Sequence, residues 1–124
     1  MRPDLLKWQR DGYPRFHRHR GNLLLHLLAV PAFVIATLCF VAALVTVHLF
    51  VAALALVGMA MAFAIQGAGH AREENPSIPF EGPSDTVSRI FVEQFVTFPW
   101  FVVSGEWAKA YRQAARSNER SAQR

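Results

Sequence analysis

Charged positions vanish from this chain for about fifty residues and then return. Between Gly21 and Ala71 there is no Asp, Glu, Lys or Arg, and Leu23 to Ile65 is a nearly unbroken run of Leu, Val, Ala, Phe, Ile and Met. A surface helix of a soluble domain needs a polar face, and this run offers none. As one helix its 43 residues would reach about 65 Å at 1.5 Å per residue. The hydrocarbon core of a bilayer is only about 30 Å thick. The run therefore predicts two membrane spans, 23–44 and 49–68, folded as a hairpin. The turn falls near Thr46 to His48, the polar cluster midway along the run.

Within the first span, Pro31 removes the backbone bond to the Leu27 carbonyl, and a kink is expected there. Gly58 and Ala62 form a small-xxx-small pair in the second span, which permits close helix approach. The stretch "REENPSIPFEGPSD", residues 72–85, is rich in proline and reads as an ordered loop. Its Ser84 and Asp85 offer an N-cap for a further helix, in which Val87, Ile90, Phe91, Gln94, Phe95 and Phe98 recur at helical spacing. Pro99 is expected to break or kink that helix. Ile90 to Val103 is 14 residues long and contains Glu93 and Gln94, which is short for a span and suits an interfacial or re-entrant segment.

The expected fold class is thus all-α: an integral membrane helical hairpin of two spans plus an interfacial or re-entrant third helical segment. The chain reads as a single membrane domain. It has a basic interfacial N-terminus (1–22), the hairpin (23–68), a Pro-rich loop (69–85), a third helical segment (86–107) and a basic tail (108–124), which is helix-forming and expected to fray.

The formal net charge of +4 raises the question of nucleic acid, but its layout answers it. Arg2, Lys7, Arg10, Arg15, Arg18 and Arg20 precede the apolar run, and Lys109, Arg112, Arg116, Arg120 and Arg124 close the chain. Basic flanks beside apolar spans follow the positive-inside bias, and an even number of crossings puts both termini on the cytoplasmic side. No groove-binding motif is present, so no nucleic-acid partner is expected. The single cysteine, Cys39, lies inside the apolar run and has no internal disulfide partner. The apolar stretch is several times longer than the h-region of a cleavable signal peptide, so none is expected.

The hairpin brings distant residues to one interface. His17, His19 and His26 stand at the start of the first span, and His70 stands just past the second span on the same side; His48 sits at the opposite turn. Glu73 and Glu74 follow His70 at helical spacing. Imidazoles with a carboxylate and open coordination positions suit a non-haem Fe(II) centre that binds substrate and oxygen together, and imidazole suits zinc as well. A histidine at headgroup depth is often mere decoration, whereas a deeper one such as His26 is costly and points to function. Asn22 lies on a stripe with His19 and His26 if the helix extends back to 19; otherwise it could serve as the helix N-cap.

At these residues the chain resembles a family of small multi-pass membrane proteins, best known from fungal endoplasmic-reticulum dioxygenases of fatty-acid α-oxidation. The family pattern is HxxxxNxxxH with a proline five residues on, then QxxGH followed by Glu. His17, Asn22, His26 and Pro31 match the first part, and "QGAGH", Gln66 to His70, matches the second, with Glu74 four residues beyond. The resemblance covers about residues 13–107, including "FPWFVVSGE" more loosely. The chain departs from the pattern at Ala29, where glycine is common, and in a compressed "EENPS"; it is also shorter than the fungal members and lacks a full fourth span.

The resemblance implies an Fe(II)-dependent enzyme that uses O2 to shorten a long-chain 2-hydroxy fatty acid by one carbon. By position it makes His17, His26 and His70 the metal ligands and catalytic residues, with His19 off the pattern. It makes Glu74 a fourth ligand or an outer-sphere partner. Asn22 and Gln66 would orient the ligands or bind the substrate. Arg72, which is no part of the family pattern, is a candidate to pair with the substrate carboxylate. Two other readings compete. A non-catalytic adaptor or assembly protein would tolerate loss of His70, and a b-type haem protein would use His26 and His70 as axial ligands.

Overall fold

The computed structural model describes residues 2–124 and is built from helices. The order is α1 (Leu5–Gly12), a 3-10 turn (Tyr13–Phe16), α2 (Arg20–Val45), α3 (Leu49–His70), α4 (Pro83–Val92), a π turn (Glu93–Thr97), α5 (Phe98–Val103) and α6 (Glu106–Ala122). Helices α2 and α3 are the antiparallel hairpin. Both are long and apolar enough to cross a membrane, and only 28% and 17% of their most apolar windows are buried. A soluble core helix would be mostly covered; here Leu28, Ile35, Leu38, Val45, Phe50 and Leu54 all face outward. That outer surface suits lipid.

The hairpin turn falls at Thr46–His48 as the polar cluster suggests, with Val47 at φ 57°. A β-branched residue is strained in that left-handed region. Helix α2 runs unbroken through Pro31. It also begins earlier than a cap at Asn22 would allow. Its N-cap is His19, whose Nδ1 accepts the Gly21 N–H at 3.0 Å. Glu73 closes the same helix start, accepting the N–H groups of Arg18 and His19 at 2.9–3.0 Å. A carboxylate is well placed there, because the first helical N–H groups lack intrahelical partners and carry the positive end of the dipole.

Pro99 does not end the third segment. Helices α4 and α5 run on through the π turn, with Phe98 N–H donating to the Glu93 carbonyl. Proline has no N–H to give to the carbonyl one turn back, and the widened turn absorbs the misfit without breaking the rod. The N-cap of α4 is Gly82 with Pro83 as its first helical residue, two residues ahead of the expected cap at Ser84. The tail is the ordered helix α6: Trp107, Ala110, Tyr111 and Ala114 pack onto the core formed by Tyr13, Leu23, Val30, Phe98 and Phe101. Trp107 Nε1 donates to the Leu23 carbonyl at 3.1 Å. Gly58 stands where a Cβ would meet Ala36 at an ordinary 3.6 Å, and Ala62 is buried, so the small pair lies against α2.

A candidate metal centre

Four side chains from four segments meet beside the open end of the hairpin. His17 comes from the link between the 3-10 turn and α2, His26 from the second turn of α2, His70 from the last turn of α3, and Glu93 from the π turn. Their ligand atoms lie within 4.8 Å of one another. The three imidazoles form a triangle with every pair of ring centroids 4.8 Å apart and interplanar angles of 77–90°. Glu93 Oε1 lies 3.9 Å from His17 Nε2 and 3.8 Å from His26 Nε2.

Backbone carbonyls settle the tautomers. Nδ1 of His17 faces the Tyr13 carbonyl at 2.8 Å, and Nδ1 of His26 faces the Asn22 carbonyl at 3.0 Å. A carbonyl oxygen only accepts, so both Nδ1 atoms carry the proton and both Nε2 atoms present bare lone pairs. These Nε2 atoms are buried without a hydrogen-bond partner, as is Nδ1 of His70. Burial, reinforced by the neighbouring His26 and His70, holds His17 well below the usual imidazole range and so neutral. Burial also pushes the Glu93 carboxyl up to about 7.

His17 and His26 thus turn bare acceptors toward the cluster, beside the Glu93 carboxyl and the unpartnered Nδ1 of His70. At 3.8–3.9 Å a protonated Glu93 is too far from the imidazoles to hydrogen-bond. A cation satisfies all of them at once. Metal–ligand bonds of about 2.0–2.2 Å place tetrahedral ligand atoms roughly 3.3–3.6 Å apart, so the Glu93–His17 and Glu93–His26 pairs would close by about 0.2–0.6 Å and the widest pair by up to about 1.5 Å. Three nitrogens and one carboxylate suit zinc or non-haem iron. The residues fit a metal ion.

Of the residues expected from the sequence, His17, His26 and His70 come together and Glu74 does not. Glu74 is exposed and outside the cluster; the carboxylate there is Glu93. His19 is spent on capping α2. Asn22 is fully buried and donates from Nδ2 to Glu73 Oε1 at 2.8 Å, so Glu73 ties the start of α2 to the end of α3. Gln66 is buried in a reciprocal amide pair with Gln94, at 2.9 and 2.7 Å. Arg72 is exposed and lies over Gly21.

Glu93, Gln94 and Tyr13 escaped the sequence reading. A signal for the first two was present. A carboxylate and an amide inside the apolar stretch from Ile90 to Val103 are expensive to bury. Their spacing to the histidines carries no register that sequence alone can read.

A cavity of about 890 Å³ opens onto the cluster, lined by His17, His70 and Glu93 together with Phe16, Phe63 and Ile78 among others. Lys7, Arg15 and Arg89 also line it, whereas Arg72 does not. Lys7 pairs with Asp11 at 2.6 Å. Arg89 is held by Asp85 and by the carbonyls of Ile78 and Pro79, which pins the Pro-rich loop. Arg15 has no carboxylate partner among the described residues. The His26 and His70 rings sit 4.8 Å apart at 88° with His17 equally close to both, which leaves no slot for a porphyrin between them.

Comparison with protein-family models, with curated proteins and with solved structures gives no match. What this chain can do is read from its own side chains.

Proposed function

We propose that this protein is a membrane-embedded non-haem Fe(II) dioxygenase that shortens long-chain 2-hydroxy fatty acids by one carbon. The observation that carries the reading is the convergence of His17, His26, His70 and Glu93, with Nε2 of His17 and His26 and Nδ1 of His70 buried and unpartnered. It lies at the cavity and beside two helices able to cross a bilayer. The sequence motifs supply the choice of iron and of substrate class.

The reaction balances without an outside reductant. Carbon 1 of the acid leaves as carbon dioxide, the hydroxyl-bearing carbon 2 becomes the new carboxyl, and one O2 takes the four electrons released, with one water formed. A bound Fe(II) supplies the redox chemistry and the site for O2. The chain supplies the rest. Its imidazoles and Glu93 hold the ion, the apolar wall at Phe16, Phe63 and Ile78 accommodates the acyl chain, and Arg15 offers a partner for the carboxylate. The π turn and its flanks form a re-entrant or interfacial segment that closes the site, and both termini face the cytoplasm.

The test is anaerobic purification in detergent, loading with Fe(II), and mass spectrometry of a long-chain 2-hydroxy acid after admitting O2. Near-stoichiometric iron and a product one carbon shorter, both lost in His70→Ala, support the reading. Iron bound without turnover leaves a metal protein of another activity, and no specific iron removes the dioxygenase altogether.

A further inference from the structure

Tyr13 touches two of the four cluster residues at three points. Its ring stacks on His17 with centroids 3.8 Å apart and planes 14° from parallel. Its carbonyl accepts the His17 Nδ1–H at 2.8 Å. Its hydroxyl donates to Glu93 Oε1 at 3.0 Å, and that oxygen is the one facing Nε2 of His17 and His26. Among the described residues no other hydrogen-bond donor reaches the Glu93 carboxylate. The phenol itself is held firmly: it is 3% exposed, and Phe101 packs edge-on at 4.9 Å.

We infer that Tyr13 is the positioning residue of the metal centre, orienting His17 through its ring and carbonyl and aiming Glu93 Oε1 at the imidazoles through its hydroxyl. The inference rests on the metal-centre reading proposed above. Its physical content is preorganisation. A half-buried carboxylate with one donor has one favoured rotation about its last bond, and without that donor it is free to turn away from the ligand set. Groups outside the ligand shell commonly govern affinity in this way. The stack and the carbonyl contact survive in Tyr13→Phe, so this variant removes the hydroxyl's action alone.

The experiment titrates the full chain, purified metal-free in detergent, with Co(II), following affinity and the visible ligand-field spectrum. For Tyr13→Phe the expected result is an affinity roughly 10–100-fold weaker and a shifted visible band, with the far-ultraviolet circular dichroism of the wild type. Wild-type affinity and spectrum in Tyr13→Phe would overturn the assignment while leaving the metal centre standing. Absence of Co(II) binding by the wild type would instead remove the metal centre and the role of Tyr13 with it. A further arm loads Fe(III): an intense visible phenolate-to-iron band, lost in Tyr13→Phe, would make Tyr13 a ligand and overturn the positioning role.

Discussion

Glu93 Oε1 lies 3.8 Å from His26 Nε2, too far for a hydrogen bond, and the tautomer that the Asn22 carbonyl imposes leaves that Nε2 without a hydrogen. A buried imidazole nitrogen left without a donor is unfavourable on its own. The protein places it beside Glu93, and adds His17 and His70, at the point where four separate segments converge. A bound cation would turn that cost into a tie between the N-terminal turn, both hairpin helices and the π turn.

Glu93 and Glu74 should therefore behave oppositely. Glu93→Gln is expected to weaken metal binding by more than the roughly 10–100-fold typical of losing an outer-sphere partner, whereas Glu74→Gln, at an exposed position, should bind as the wild type does. Metal stoichiometry by elemental analysis of the two variants decides it. Equal losses in both would return the carboxylate role to the loop.

Metal affinity should depend on pH through Glu93. Its carboxyl titrates at about 7 in the metal-free protein, and a metal needs the anion. Below pH 7 the proton competes, so affinity falls by up to about tenfold per unit, and above pH 7 the dependence flattens. His17, held well below its usual range, is already deprotonated near neutrality and adds little to this slope. Co(II) titrations at pH 6, 7 and 8 in wild type and Glu93→Gln should show the slope only in the former. A flat wild-type profile would sink the idea.

Gly69 is required by a close approach to the neighbouring helix. A Cβ there would collide with Asn22 Oδ1, while a Cβ at Gly67 meets nothing within 4 Å. Asn22 is fully buried and anchored by Glu73, so it has no room to yield. Gly69→Ala should cost about 1–3 kcal/mol, as overpacking does. Gly67→Ala should be neutral or slightly stabilising in the helix. Thermal unfolding in a single detergent compares them, and equal melting temperatures would show that α2 and α3 can separate at no cost.

The Gln66–Gln94 pair should act as a unit. Each amide satisfies the other in a buried setting, so removing one leaves its partner unpaired, at about 1–3 kcal/mol. A double-mutant cycle with Gln66→Leu and Gln94→Leu should give a double variant less destabilised than the sum of the singles. Strict additivity would mean that water, rather than the partner, satisfies each amide.

Much of this architecture was written in local pattern. Fifty residues without charge, interrupted at Thr46–His48, suffice for a two-helix hairpin, because bilayer thickness converts length directly into number of spans. Hairpin topology then returns His70 to the neighbourhood of His17, His19 and His26, and the HxxxxNxxxH and QxxGH motifs, by resemblance, single out His17, His26 and His70 from these four. The fourth member of the cluster does not follow. Which carboxylate completes the set depends on how the segment from Pro83 to Val103 docks, and that depends on a π turn before Pro99 and on packing of Phe91 against Phe33 and Phe98 against His26. Sequence proximity offers Glu73 and Glu74 alike, three and four residues past His70, and the family resemblance points to Glu74. The tertiary structure chooses Glu93, because the start of α2 has already claimed the neighbouring Glu73, Glu74 lies exposed, and the third segment brings its own carboxylate to the imidazoles. Periodicity reports which face of a helix is apolar, but only docked side chains determine which polar atoms are left without partners.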